Sequence, residues 1–164
     1  GVSPGKAALI FGLMMGLNSL GGIGAGILSD KFGRKNVLAA VYFLRGIGYV
    51  MLVCIPSSLG MWAFAVAAGF SWVASVPLTS ALTADVYGLR VLATISGVTF
   101  MCHQVGSFIM VLLAGFLFDL TGSYTLPFAI AGSLLFPAAL AAFTIKEKQY
   151  SIRYRTPNTG VTTY

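Results

Sequence analysis

Hydrophobic residues form five long runs along this chain, and short breaks rich in charged, glycine or proline residues separate them. Each run is long enough for a helix of about 20 residues, the length needed to cross the roughly 30 Å apolar core of a bilayer. Lipid offers no hydrogen-bond partners to a backbone, so each run is expected to satisfy its own backbone groups as a helix. The predicted membrane-spanning helices cover about residues 4–28, 36–55, 60–84, 91–118 and 124–145.

The polarity of the runs and the overall composition both argue against a soluble protein. A soluble five-helix bundle would need a polar face on every helix, and these runs lack one. Charged residues make up only 9% of the chain, whereas an ordinary soluble domain has roughly 25%. The mean hydropathy is correspondingly high, at +0.89. The predicted fold class is therefore all-α, a polytopic membrane protein with five transmembrane helices.

The distribution of basic residues predicts how the helices are oriented. Lys31, Arg34 and Lys35 follow the first run, Arg90 follows the third, and several more basic residues follow the fifth. Short cytosolic connections carry the excess of Lys and Arg. We therefore expect an integral protein of the plasma membrane or bacterial inner membrane, with its amino end outside. Residues 149–164 are expected to form a flexible cytosolic tail.

The remaining composition argues against several other classes of protein. The formal net charge of +6 comes from residues beside apolar runs, not from a basic face interleaved with aromatics, so no nucleic-acid partner is predicted. Cys54 and Cys102 lie within or beside apolar runs, which provides no disulfide framework or cysteine metal site. His103 is the only histidine, and the chain has no HExxH or phosphate-binding loop. We predict neither an enzyme nor a bound metal or cofactor.

The break after the first run, GILSDKFGRK at residues 26–35, resembles the signature loop of the major facilitator superfamily, G-x-L-[AS]-D-[RK]-x-G-R-[RK]. In that family the loop joins two transmembrane helices on the cytosolic side. Gly26 lets a helix end approach a neighbour, Gly33 permits a turn with positive φ, and Asp30 can interact with the N-terminal end of another helix. The alternative is a generic basic loop with the same residue types. The residues assigned a structural or gating role are Gly26, Asp30, Lys31, Gly33, Arg34 and Lys35, with Asp85 and Arg90 at the next cytosolic break.

Two further segments indicate which part of the family fold the chain represents. TADVYGLRVLATISG at residues 83–97 and AGFLFDLTGSYTLPFAI at residues 114–130 resemble the links before and after the eleventh helix. The resemblance implies that the five runs are helices eight to twelve and that residues 1–148 form part of the carboxyl-terminal six-helix bundle. The chain is therefore interpreted as a fragment, with the amino-terminal half and helix seven missing.

A narrower resemblance concerns the substrate. The segments YFLRGIG, SVPLTSAL and CHQVGSF are similar to bacterial relatives of the oxalate/formate antiporters and monocarboxylate transporters. Relatives that bind carboxylates typically have a basic residue in helix eight. The first run here contains only Lys6, near its outer end, which argues against an oxalate-like or simple monocarboxylate substrate.

The family fold implies that the first, third and fourth runs face a central cavity, because helices seven, eight, ten and eleven line it. In the fourth run, Ser96, Thr99, His103 and Ser107 recur at helical spacing on one face, and Gln104 adjoins them. An ionisable residue inside the membrane indicates a functional site by default. His103 is therefore a candidate for binding substrate or a proton, and the alternative is a neutral histidine that hydrogen-bonds between helices.

The third run contains a second set of candidates. Ser71, Ser75 and Thr79 recur every four residues, and Pro77 removes one helical hydrogen bond, which could expose a carbonyl to substrate. Trp72 could form an aromatic wall. The alternative is that the small residues permit close packing and that Pro77 only kinks the helix.

The first two runs each add one polar candidate. Asn18 lies among glycines that are typical of a helix packing face, and it is a possible cavity residue. Arg45 lies near the middle of the second run. Because helix nine is peripheral in the family, a buried partner or a cluster of carbonyls is favoured over substrate contact. We assign Arg45 a structural or gating role.

The predicted function is that of a fragment of a secondary active transporter, which moves a small organic solute by alternating access. An organic anion is among the candidate substrates. The expected partners are this solute, a coupling ion, the lipid bilayer and the missing amino-terminal half of the same chain. The alternative is a stand-alone membrane module that assembles with itself or a partner and transports nothing.

Overall fold

The computed structural model describes residues 2–55 and 57–151. Within these residues, five helical spans are long and apolar enough to cross a membrane, and no strand is present. This confirms the all-α membrane fold predicted from the sequence. The helices are α1 (Pro4–Phe32), α2 (Arg34–Cys54), α3 (Ser58–Ser71), α4 (Ser75–Tyr87), α5 (Leu92–Thr121), α6 (Thr125–Thr144) and α7 (Glu147–Tyr150), with a 3₁₀ turn at Leu89–Val91 before α5.

The connection between α1 and α2 is a single residue, Gly33. Its amide donates to Ser29 O at 3.1 Å, which closes the last turn of α1. Gly33 has a φ of 90°, a conformation that glycine adopts at little cost, and α2 starts at the next residue. The signature segment is therefore two helix ends joined by one turn. Gly26 makes no close approach to another described helix, because a Cβ built there would meet no atom within 4 Å.

The sequence predicted one continuous helix for the third span, but the structure has two. α3 ends at Ser71 and α4 begins at Ser75, so the break lies before Pro77. Proline cannot donate to the carbonyl four residues earlier, Val73 O, and this carbonyl instead accepts from Val76 N at 3.1 Å. Pro77 then occupies the third position of α4, where a helix has no internal acceptor for an N–H group.

Packing is tightest around α2, which contacts α1, α3, α4 and α6. Glycines bring α1 against α3: a Cβ at Gly69 would lie 2.8 Å from Leu17 Cβ and 3.0 Å from Met14 O. α5 lies at the edge of the bundle, against α4 and α6, and none of its residues is buried. The expected tail at 149–164 overlaps the end of α7, and residues 152–164 lie outside the described residues.

Candidate functional site

A cavity of about 190 Å³ lies between α4 and α5, and Tyr42 of α2 also contributes to its wall. Small-molecule sites usually enclose roughly 300–1,000 Å³, so this cavity by itself is smaller than such a site. The predicted substrate candidates that line this cavity are Ser75, Thr79, Ser96, Thr99 and His103. The helical spacing of polar residues in two separate runs therefore identified side chains that the fold brings together.

Four other candidates do not line the cavity: Gln104, Ser107, Trp72 and Asn18. The polar lining residues that the sequence analysis missed are Tyr42, Ser80 and Thr83. Thr83 could have been found by extending the four-residue repeat of Ser75 and Thr79 by one turn. Tyr42 belongs to a different helix, and no pattern within α4 or α5 points to it.

The hydroxyl groups of the cavity are partly engaged with their own helices. Thr79 Oγ1 donates to Ser75 O at 2.8 Å, and Thr99 Oγ1 donates to Ile95 O at 2.8 Å. Since the hydrogen of each hydroxyl is used in this way, its oxygen retains lone pairs that can accept a hydrogen bond. The wall therefore presents acceptors to a solute that carries donors.

His103 has no hydrogen-bond partner within residues 2–55 and 57–151, and its ring lies 6.4 Å from that of Phe100. The described residues thus provide no partner for the alternative of a structural histidine bonded between helices. An imidazole can exchange a proton near physiological pH and can donate or accept hydrogen bonds. It adds to the cavity a group able to bind either an anion or a proton.

Arg45 lies beside the break in the third span. An unbroken helix would pair Ser71 O and Trp72 O with amides four residues later. At the break these carbonyls instead accept from Arg45 Nη2, at 2.9 Å for Trp72 O, and the same nitrogen lies 3.4 Å from Ser75 Oγ. Among the described residues Arg45 forms no ion pair, so a carbonyl cluster rather than a carboxylate surrounds it.

Asn18 and Trp72 belong to this break rather than to the cavity. Asn18 is only 6% exposed, and its Oδ1 accepts a hydrogen bond from Val73 N at 3.0 Å. The Arg45 guanidinium carbon lies 5.5 Å from the Trp72 ring centre and 5.9 Å from that of Tyr42, within the range of a cation–π contact. Side chains from α1 and α2 therefore satisfy the backbone where α3 and α4 separate.

A second charged cluster lies at the end of the bundle where α1 meets α2. Arg34 Nε and Asp85 Oδ2 form an ion pair at 2.6 Å. Both carboxylate oxygens of Glu147 accept hydrogen bonds at 3.0 Å from the first two amides of α2, those of Arg34 and Lys35. Glu147 is 2% exposed. It occupies the kind of helix N-terminus that the sequence analysis had suggested for Asp30.

Glu147 was missed in the sequence analysis because it follows the last apolar run, just before the segment predicted to be a flexible tail. One signal could have found it. The chain has only four acidic residues, and a charge at a membrane margin with so few counterparts is expected to have a specific partner. The remaining basic residues of this region are less involved: Lys31 Nζ lies 5.5 Å over the Phe32 ring, and Arg90 is exposed.

Comparison with known proteins gives a consistent result. The family model described as Major Facilitator Superfamily matches residues 1–159. An uncharacterized MFS-type transporter, YcxA of Bacillus subtilis (strain 168), is 30% identical over 117 residues, which is 68% of this chain and 29% of that protein. Monocarboxylate transporter 12 of Rattus norvegicus is 30% identical over 148 residues, 87% of this chain and 30% of that protein.

A fungal relative shows similarity of the same extent. MFS transporter asaE of Aspergillus flavus is 30% identical over 128 residues, which is 76% of this chain and 29% of that protein. The chain thus spans less than a third of the length of these curated relatives. No solved structure matches the chain.

Proposed function

Because the chain belongs to the Major Facilitator Superfamily, we propose that it forms five helices of the carboxyl-terminal half of a secondary active transporter. The complete protein moves a small organic solute by rocking two helical bundles around a central site. The remaining helices come from the part of the same protein that lies outside this chain. The end of the bundle at Gly33 and the segment after α6 face the cytosol, as the positions of Lys and Arg indicate.

The observation that carries this proposal is the polar cavity between α4 and α5. Its wall combines the hydroxyls of Ser75, Thr79, Ser96 and Thr99 with the imidazole of His103, in a chain with only 9% charged residues. Polar and ionisable side chains inside a membrane are costly, and they typically mark the path of a substrate or ion. A packing face alone would not need them.

The exposure of α5 supports the same proposal. This helix has 30 residues, yet none of them is buried, and the cavity is open beside it. Further helices packed on α5 would enclose the cavity and raise its volume towards that of a complete site. Helix seven and the amino-terminal half of the transporter supply these helices.

An organic anion that also carries hydrogen-bond donors is the substrate class that we propose, because the hydroxyl oxygens of Thr79 and Thr99 remain available as acceptors. A protonated His103 supplies a positive charge, and the relative from Rattus norvegicus is named a monocarboxylate transporter. His103 is also the candidate site for a coupling proton. The hydroxyls of Thr79 and Thr99 bind the polar part of the solute and orient it.

Uptake by the full-length protein in proteoliposomes tests this function. A panel of radiolabelled organic anions and matched neutral solutes is screened at several external pH values. We expect accumulation of at least one anion that increases with a proton gradient, and His103→Gln is expected to reduce its rate at least tenfold and flatten the pH profile. Gln104→Ala, a change at the next position but outside the cavity, serves as the matched control.

Two results would contradict the proposal. Unchanged uptake and pH dependence in His103→Gln would assign this residue a structural role. No uptake of any solute by a folded full-length protein, together with self-association, would favour the alternative of an assembly module.

A further inference from the structure

A second groove lies between α2 and α6, away from the polar cavity. It has a volume of about 450 Å³ and an apolar lining except for Asn36 at one end. Ala39 and Ala139 are buried at its base, whereas Phe43, Leu140 and Phe143 on its rims are 51%, 69% and 59% exposed. Small residues on facing helices thus form the base of the groove, and large apolar residues form its sides.

The groove and the break in the third span lie on different faces of α2. At about 100° per residue, Ala40 and Phe43 are roughly 140° and 160° around the helix from Arg45. Arg45 points towards the α3–α4 break, where it contacts Trp72. The groove therefore opens on the side of α2 away from that break, where a membrane helix meets lipid.

A lysine is fixed at the end of this groove where α2 begins. Lys35 Nζ donates to Phe143 O at 3.0 Å and lies 5.3 Å over the Phe143 ring. An ammonium group has three donors, so Lys35 retains capacity for an anionic ligand. Lys146, three residues beyond Phe143, is exposed.

Among the described residues, Glu147, the acidic neighbour of Lys146, forms no ion pair with Lys35 or Lys146. Both oxygens of Glu147 accept hydrogen bonds from the amides at the start of α2, and its side chain is almost completely buried. The groove thus combines an apolar channel with a cationic end. An amphipathic ligand with an anionic head and a hydrocarbon chain has the complementary chemistry.

We propose that the α2–α6 groove binds an anionic phospholipid, with one acyl chain along the groove and the phosphate at Lys35 and Lys146. Basic residues at the membrane surface attract anionic headgroups, and the apolar channel selects a lipid over a soluble phosphate compound. Lipid binding in this groove does not depend on the substrate site between α4 and α5.

Native mass spectrometry of the purified full-length protein tests this site. Phosphatidylglycerol and phosphatidylcholine with identical acyl chains are titrated separately. We expect phosphatidylglycerol to bind at least tenfold more tightly, and expect Lys35→Gln and Lys146→Gln each to weaken it by about fivefold. Lys35→Arg retains the charge and is expected to retain the preference. Lys6→Gln, at the other end of the bundle, is the control that leaves it unchanged.

A change in the apolar part of the groove tests binding of the acyl chain separately from binding of the headgroup. Ala40→Phe fills the channel from an exposed position of α2, so it is expected to weaken both lipids while the free energy of unfolding changes little. Equal affinity for the two lipids, or no effect of either lysine change, would overturn the proposal. So would a disulfide formed between two copies through Ala40→Cys in native membranes, since a protein would then cover the groove.

Discussion

Arg45 and Glu147 both supply hydrogen-bond partners to backbone groups at helix ends. They carry opposite charges and lie at different places in the molecule. Glu147 accepts hydrogen bonds from the first amides of α2, where the helix dipole is positive, and Arg45 donates to the last carbonyls of α3, where it is negative. The first site lies at an end of the bundle and the second lies near the middle of the third span. What each contact contributes to the free energy of unfolding therefore depends on where it lies in the membrane, and not on how many hydrogen bonds it makes.

The reason is the supply of alternative partners. A backbone group at the end of a transmembrane helix can bind water if its protein partner is lost. A carbonyl or amide in the middle of a span has no such alternative, because lipid provides neither donors nor acceptors. Changes at the break are therefore expected to cost more than equivalent changes at the start of α2.

Arg45→Met is expected to have the largest effect. It removes the charged donor that serves Ser71 O and Trp72 O, which leaves Trp72 O with only a 3.3 Å hydrogen bond from Ser75 Oγ. Losing two hydrogen bonds from a charged group costs roughly 3 kcal/mol or more. The free energy of unfolding of the full-length protein, measured by titration with SDS, checks this value. Arg45→Lys keeps the charge with fewer donors and should be intermediate. A stability of Arg45→Met equal to that of the parent protein would show that the break does not need the Arg45 guanidinium.

Asn18→Leu is expected to have the next largest effect, about 1–3 kcal/mol, because it leaves the Val73 amide without its acceptor. The matched control is Asn36→Leu, which removes an amide that is exposed and bonded only to Phe32 O within the described residues. The same unfolding titration should show less than about 0.5 kcal/mol for the control. Equal losses of unfolding free energy at the two positions would show that a hydrogen bond in mid-span contributes no more to stability than one at an exposed helix end.

Glu147→Gln is expected to cost less, about 0.5–1 kcal/mol. The amide retains one acceptor for the α2 amides but loses the negative charge that stabilises a helix N-terminus. Because the Glu147 side chain is almost completely buried, high salt should change this difference little. Unfolding titrations at low and high salt check it. A loss larger than that of Asn18→Leu would reverse the predicted order.

Ser75→Ala is expected to have the smallest effect on stability, below about 0.5 kcal/mol. Both hydrogen bonds of Ser75 Oγ at the break, 3.4 Å to Arg45 Nη2 and 3.3 Å to Trp72 O, are long. Ser75 is nevertheless the residue that belongs both to the break and to the lining of the cavity. Initial rates of uptake should therefore fall while the unfolding titration barely changes. Unaltered uptake would indicate that the break and the cavity act independently.

The parts of the fold that could be predicted from the sequence are those that the lipid environment enforces. Five apolar runs became five spans because a backbone in lipid must pair with itself. The cavity residues Ser75, Thr79, Ser96, Thr99 and His103 could be grouped because helical spacing places them on a face of each helix. Both predictions rest on short-range regularities.

The contacts that join distant parts of the chain could not be predicted. Pro77 signals a disturbance of the third span, but Asn18 and Arg45, from two other helices, bond to the backbone where the break forms. Glu147 reaches the amide of Arg34 across 113 residues, and no local pattern records such a pairing. Tyr42 entered the cavity lining for the same reason.

The distance between Glu147 and its partner along the chain has a consequence for biosynthesis. The Arg34 amide leaves the ribosome 113 residues before the carboxylate that binds it. The beginning of α2 must therefore stay hydrated, at the surface of the membrane, while the later spans are inserted. Docking of Glu147 is a late event in this order, because it follows the arrival of α6 beside α2.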